Sequence, residues 1–351
     1  MYKHNRTAKQ NAYLSSFEKA VAGDIHPLQT CFFLTGNCNL NCTYCAQKNS
    51  LSKTDLDLKE WKRASDIAYG LGNRMISIVG GEPLLSPYLL DLVNYISDRD
   101  TTVSVLTNGR SLEESLLHSL DEAGLDNLGF SIDTLKTGQQ PQFGKTLTKK
   151  LEHILKYIRD SHFSFRTSVA AVITKYNLDI QPEMLRTFTE LGLPLRVSLM
   201  VRGVVNHSYT EDIALREEDL PQVERVFEKL WQMKSEGYLL GNEDCFFTSL
   251  KPQMGCCTPA GVYQMYMGND SRYTCEGGIH YLAVLNNGML ESCTTGVPSE
   301  TPIEMLTSVE DYRAFVEQNR KKTDQCKGCP WPHRWVLTHL KETGGYNHYR
   351  I

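Results

Sequence analysis

At 351 residues, 41% hydrophobic and 22% charged, the chain has the make-up of a water-soluble globular protein, with room for one large domain and a smaller one. A net charge of −4 argues against nucleic acid as a partner, and no apolar run reaches membrane-spanning length. The basic start Met1-Tyr2-Lys3-His4-Asn5-Arg6 is followed by no apolar h-region, so the expected location is the cytoplasm.

The elements follow in chain order. Residues 1–27 are polar with weak periodicity and read as an arm or a helix packed on the outside. From residue 28 a strand–helix rhythm begins. Its predicted strands are Leu28–Thr35, Arg74–Val79, Thr102–Leu106, Leu128–Ile132, Ser164–Ile173 and Leu195–Val201. Its predicted helices are Leu56–Leu71, with Asp55 placed to cap it, then Tyr88–Ile96, Leu112–Ala123, Thr146–Arg159, Ile180–Leu191 and Leu220–Lys234. Six such units imply parallel strands with right-handed crossovers, in a partial (β/α)6 TIM-like barrel spanning 28–236. Chemistry in such a barrel belongs at the C-terminal ends of the strands. From 237 to 351 the rhythm breaks into a second, small domain. There Asn286-Asn287-Gly288 between Tyr281–Leu285 and Leu290–Cys293 predicts a hairpin, and Val309–Arg320 a helix.

Eleven cysteines stand out, an odd count in a chain that reads as intracellular, and that favours metal-ligating thiols over disulfides. Cys38, Cys42 and Cys45 form a Cys-x3-Cys-x2-Cys run just after the first strand. Three thiolates there can hold three irons of a [4Fe–4S] cube and leave the fourth open, whereas such cubes normally take four cysteines. The other motifs also fall at strand ends: Gly80-Gly81-Glu82-Pro83 after the second, Thr107-Asn108-Gly109 after the third, and Ser131-Ile132-Asp133 at the fourth.

Together these motifs resemble the radical S-adenosylmethionine (SAM) superfamily over about residues 28–205. The resemblance implies a cluster on Cys38, Cys42 and Cys45 whose open iron chelates SAM. Reductive cleavage of SAM then gives a 5′-deoxyadenosyl radical that abstracts hydrogen from a substrate. It implies that Tyr44 lies against adenine and that the Gly80, Gly81, Glu82, Pro83 strip meets the methionyl amine. Thr107, Asn108, Ser131, Asp133 and Arg202 are further candidate contacts of the cofactor. Bland readings stand beside these: a zinc site for the cysteines, a plain turn for Thr107-Asn108-Gly109, and a cap for Asp133.

A second set, Cys275-x12-Gly288-x4-Cys293 followed by Cys326-x2-Cys329, resembles the Twitch extension, the shorter relative of the SPASM domain. That resemblance implies one fully ligated auxiliary [4Fe–4S] cluster, making two clusters in all; four-cysteine zinc is the alternative. Cys31 reads as core. Cys245, Cys256 and Cys257 read as spare thiols, hydrogen-atom donors or replacements for a predicted cluster ligand, and Arg166 as a cation for the SAM carboxylate or a substrate anion, with an exposed strand position as its bland reading. The resulting expectation is an oxidoreductase that dehydrogenates a small natural-product intermediate, such as an amino sugar or nucleoside. A reductase such as flavodoxin or ferredoxin is its implied electron donor. Radical modification of a ribosomal peptide, and a non-catalytic zinc-binding protein, are the alternatives.

Overall fold

The computed structural model describes residues 8–45, 47, 51–135, 144–200, 213–242, 277–292 and 298–323. Its strands are β1 (Gln29–Phe33), β2 (Met75–Val79), β3 (Thr102–Thr107), β4 (Asn127–Ser131), β5 (Arg166–Ile173), β6 (Leu195–Leu199), β7 (Tyr281–Val284), β8 (Met289–Glu291) and β9 (Pro298–Pro302). Its helices are α1 (Ala8–Val21), α2 (Leu58–Gly70), α3 (Leu89–Ser97), α4 (Glu114–Glu122), α5 (Lys149–Asp160), α6 (Gln181–Glu190), α7 (Leu220–Ser235) and α8 (Val309–Thr323).

One sheet runs β6-β5-β4-β3-β2-β1-β7-β8-β9. β1 to β6 pair parallel in chain order, as alternating strands and helices require. Phe32, Ile76, Ile78, Val103, Val105, Leu128, Phe130, Val169, Ala171, Leu195 and Val197 point to one side. They share a single core with Trp61, Leu92, Ile96, Leu120, Leu155, Phe188 and Phe227 of the helices. All the crossover helices therefore cover the same face, which is the partial (β/α)6 barrel expected from the sequence. The alternate residues of each strand line the opposite, inner face.

Of the two readings of the N-terminal segment, arm or outer helix, the helix forms as α1, tied to the base of the sheet by Lys9 Nζ to Asp126 Oδ2 at 2.9 Å. Two features differ from the sequence reading. The cap of α2 is Asp57 rather than Asp55. Asp57 Oδ1 accepts from Glu60 N at 2.8 Å while Glu60 Oε2 accepts from Asp57 N at 2.7 Å, a reciprocal capping box. The predicted hairpin forms, with Gly288 at φ +82°, and its first strand joins the main sheet. β7 pairs parallel with β1, from Gln29 opposite Tyr281 to Phe32 opposite Val284. Cys31 is buried, as predicted. Burial pushes its thiol up to about 12, and Tyr281 Oη donates to Cys31 Sγ at 2.7 Å.

His26 links α1 to this sheet. Its Nε2 bonds Ser16 Oγ at 2.8 Å, and its carbonyl oxygen bonds His280 Nδ1 at 2.8 Å. Burial lowers its pKa, outweighing the hydrogen bond with Ser16. The native state then binds fewer protons than the unfolded chain, so stability falls as pH drops below about 6.5 toward the lowered native value. His26→Gln should weaken this acid sensitivity and cost about 1 kcal/mol at neutral pH. Urea denaturation at both pH values measures both effects.

Candidate active site

The cysteine loop, residues 36–45, leaves the top of β1 and lies across the C-terminal ends of the strands. Cys38 and Cys45 are exposed, whereas Cys42 is buried with Tyr44, Met200, Ile213 and Ala214. Burial pushes the Cys38 thiol up, and Glu82 and the two other cysteines add to the effect. Tyr44 sits inside the Cys-x2-Cys turn and donates to Asp133 Oδ2. Asp133 is fully buried. Its Oδ1 accepts from Val172 N at 2.7 Å, and its carbonyl oxygen accepts from Asn177 Nδ2 at 2.9 Å. Burial raises the Asp133 pKa against the opposing pull of Lys145. Lys145 Nζ lies 5.9 Å from the Tyr44 ring centroid. Burial works to lower Lys145, but Asp133 and the three cysteines outweigh it, so its pKa is raised and the ammonium stays charged at neutral pH.

The Gly-Gly-Glu-Pro strip leaves β2 directly against this loop. Gly81 N donates to Thr35 O at 2.8 Å and Glu82 N to Asn37 O at 2.7 Å. A Cβ on Gly81 would overlap the carbonyl of Asn37, and one on Gly80, at φ +134°, would lie 2.9 Å from that of Thr35. Only glycine permits this approach. Pro83 opens a short 3₁₀ turn, Pro83–Leu85, capped by Glu82. Glu82 Oε1 accepts from Thr107 Oγ1 at 2.6 Å and from Leu84 N at 3.1 Å, and Oε2 accepts from Asn108 N at 2.8 Å. Burial raises the Glu82 pKa, and these three donors oppose it. A carboxylate offers about four lone-pair sites. Three serve the protein's own β2–β3 junction, which leaves one for a ligand donor.

Asn108 likewise works inside the protein. Its Nδ2 donates to Asn39 Oδ1 at 2.8 Å, bracing the loop between Cys38 and Cys42, while its Oδ1 accepts from Arg110 N at 3.0 Å. Glu82→Ala would strand three donors, two of them buried at Thr107 and Asn108, with an expected loss of about 3 kcal/mol in denaturant unfolding. Glu82→Gln should keep part of it, because its amide oxygen can still accept.

A third brace comes from the hairpin. Asn286 is fully buried. Its Nδ2 donates to Asp55 Oδ1 at 2.6 Å and to Ser52 O at 2.8 Å, and its Oδ1 accepts from Ser52 N at 2.9 Å. Asp55 in turn accepts from Thr35 Oγ1 at 2.6 Å and Gly36 N at 2.9 Å, two residues before Cys38. The residue expected to cap α2 thus anchors the cysteine loop.

The structure brings Cys38, Cys42, Cys45, Tyr44, Gly80, Gly81, Glu82, Pro83, Thr107, Asn108, Ser131 and Asp133 to one end of the sheet. Arg202, Cys245, Cys256, Cys257, Cys275, Cys293, Cys326 and Cys329 lie outside the described residues. Among the described residues no three His, Cys, Asp or Glu side chains converge on a single metal ion. A [4Fe–4S] cube gives each thiolate its own iron, so it needs three cysteines around one loop rather than three sulfurs at one point. The donor set, the glycine cradle and the nearby Lys145 ammonium fit such a group.

Residues 32–188 match the family model described as the Radical SAM superfamily. The chain carries a radical SAM domain. It is 40% identical over 105 residues to a GTP 3′,8-cyclase of Chlorobaculum tepidum, covering 29% of this chain and 32% of that protein. It is 30% identical over 171 residues to an AdoMet-dependent heme synthase of Methanosarcina barkeri, covering 45% and 46%. It is 27% identical over 164 residues to a PqqA peptide cyclase of Granulibacter bethesdensis, covering 45% and 43%. The chain thus spans from a third to a half of the length of these curated relatives. Streptococcus suis SuiB bound to its precursor peptide SuiA shares the fold at TM-score 0.65 and 16% identity, over 97% of this chain and 84% of that one. The radical SAM domain therefore holds the cysteine loop, the glycine strip and the ends of β3 and β4 in one matched unit. No helix among the described residues is long and apolar enough to cross a membrane.

Sequence reasoning missed Asp55, Lys145, Asn177 and Asn286. Asn286 was visible only as a turn residue, and Lys145 stands in no motif.

Proposed function

We propose that this radical SAM chain oxidises a small natural-product intermediate, such as an amino sugar or nucleoside. The observation that carries the reading is the Cys38-Cys42-Cys45 loop, packed on Gly80-Gly81-Glu82 at the C-terminal end of the sheet. Cys38, Cys42 and Cys45 would hold the cluster, which when bound supplies the electron that cleaves SAM to a 5′-deoxyadenosyl radical. Tyr44, Gly80, Gly81, Glu82, Pro83, Thr107, Asn108, Ser131, Asp133 and Arg202 would form the wall around SAM. Glu82 and Asn108 act there mainly by holding the wall in shape.

Hydrogen abstraction breaks a substrate C–H bond and forms the methyl group of 5′-deoxyadenosine. The substrate radical then loses one electron and one proton. A second [4Fe–4S] cluster on Cys275, Cys293, Cys326 and Cys329, in a Twitch-type domain over 237–351, would take the electron, and solvent the proton. A flavodoxin- or ferredoxin-type reductase in the cytoplasm would supply the first electron. Cross-linking or epimerisation of a ribosomally made peptide is the second reading, supported by the similarity to the PqqA peptide cyclase.

Anaerobic incubation of the reconstituted, reduced protein with SAM tests the reading. Release of 5′-deoxyadenosine supports it. No release from protein with confirmed iron and sulfide overturns it, as would a colourless preparation carrying about two zinc ions per chain.

A further inference from the structure

Gly144, Lys145 and Thr146 lie against the end of β4. Asp133 N donates to Lys145 O at 2.8 Å, and Leu147 N to Thr134 O at 2.9 Å. The same segment presses on the cysteine loop. A Cβ on Gly144 would stand 3.1 Å from Cys42 Sγ and 3.2 Å from Leu40 Cδ2, so a glycine is what lets the backbone come this near the sulfur. Backbone contacts with β4 and with the loop thus deliver Lys145 to the edge of the Cys38, Cys42 and Cys45 set. Its Nζ lies 5.9 Å from the ring centroid of Tyr44, which sits between Cys42 and Cys45, and that is cation–π range.

The charge on Lys145 is not consumed by a neighbour. The side chain is half-buried and forms no ion pair among the described residues. Asp133 acts on it most strongly, followed by Cys42, Cys45 and Cys38. The Asp133 carboxylate is already engaged, by Tyr44 Oη on one oxygen and Val172 N on the other. Arg110, a second cation beside this segment, is exposed and reaches Gly144 O at 3.5 Å, so solvent screens it from the sulfurs. A lysine that only filled space would extend its ammonium into water. This one is held over the Tyr44 ring instead.

Three thiolates make the cube they hold a net anion, and its reduction adds a further negative charge. The potential of such a cluster depends on the charges and hydrogen bonds around it. An ammonium at its edge favours the reduced form by Coulomb attraction, more strongly where water is partly excluded. Glu82 and Asp133, both buried nearby, act in the opposite sense.

We propose that Lys145 sets the reduction potential of the cluster held by Cys38, Cys42 and Cys45, its ammonium offsetting the charge that the incoming electron adds. The electron comes from a one-electron reductant. No bond forms or breaks at Lys145, which stays protonated in both redox states. Lys145 is thus a positioning residue that acts through the cluster and touches no reacting atom. The assignment rests on the radical reading of the loop and adds what lets a reductant of moderate strength load that electron.

The test is a potentiometric titration of the reconstituted full-length protein, without SAM, followed by electron paramagnetic resonance. The signal missing from Cys38→Ala belongs to the loop. Lys145→Met should make reduction of that signal about tenfold less favourable, a fall in midpoint of about 59 mV for one electron. Lys145→Arg should stay near the wild-type midpoint, because it keeps the charge. Lys145→Gln carries the same expectation as Lys145→Met and serves where that variant does not fold, which denaturant unfolding of the metal-free proteins checks. An unchanged midpoint in the uncharged variants would overturn the proposal. So would an equal fall in Lys145→Arg and Lys145→Met, since packing rather than charge would then be the cause. Weaker SAM binding with an unchanged midpoint would move Lys145 to the cofactor and likewise overturn it. The two ideas fail separately. No cluster signal assignable to the loop in wild type sinks the radical reading, whereas a loop signal whose midpoint ignores the charge at 145 sinks only the tuning.

Discussion

Alanine at Cys38, Cys42 or Cys45 abolishes release of 5′-deoxyadenosine, and each variant loses the iron held by this loop. The expectation follows from ligand arithmetic. A cube already short of one protein ligand has none to spare, so the loss in rate exceeds a thousandfold, more than about 4 kcal/mol at the transition state. The three variants should differ in stability. Cys38 and Cys45 are exposed, so their alanine variants unfold near the wild-type midpoint. Cys42 is 5% exposed and packs against Tyr44, Met200 and Ile213, so Cys42→Ala should also cost about 1 kcal/mol in the metal-free protein. Iron and sulfide analysis, 5′-deoxyadenosine assay and denaturant unfolding read the three effects separately. A Cys38→Ala protein that still cleaved SAM at the wild-type rate would remove the cluster from this loop.

The second large effect belongs to Asn286. Asn286→Ala removes the bonds donated by Nδ2 to the Asp55 carboxylate, Ser52 O and, at 3.4 Å, Thr54 O, and one accepted by Oδ1. Because the Asn286 side chain is itself fully buried, the loss should be about 3 kcal/mol. The larger consequence is positional. Asp55 would lose a partner on the oxygen that also accepts from Gly36 N, and the segment leading to Cys38 would loosen. The reduced cluster should then show a broadened electron paramagnetic resonance spectrum and weaker SAM binding. A double-mutant cycle with Asp55→Asn isolates the pair, with an expected coupling of about 1–3 kcal/mol. Strictly additive losses would mean that the two residues act independently.

The barrel half of the fold was legible because its signals are local. Ile76–Val79 and Val103–Leu106 are short apolar runs closed by polar or glycine turns, and the intervening segments carry helical periodicity. Asn286-Asn287-Gly288 marked the hairpin through its turn chemistry alone. The pairing of β7 with β1 was not legible, since it joins segments some 250 residues apart and no local pattern records such a register. β9 was hidden by a proline at each end, Pro298 and Pro302, which demotes a strand in any propensity reading. At the site, the cysteines and the glycine strip declared themselves by spacing. Asp55 and Asp57 could not be told apart as caps, because both precede the helix and only geometry shows which carboxylate turns inward. Glu82 read as a free acceptor because the sequence does not reveal that Thr107 and Asn108 converge on it.

The parallel pairing of β7 with β1 bears on how the protein can be cut. A chain truncated after residue 236 would bare one flank of β1, from Gln29 to Phe33, leaving a row of amide and carbonyl groups with no neighbour. Bare flanks of this kind recruit strands from other molecules. The shortened protein should therefore self-associate, and its tendency to do so should fall when residues 277–292 are supplied in trans.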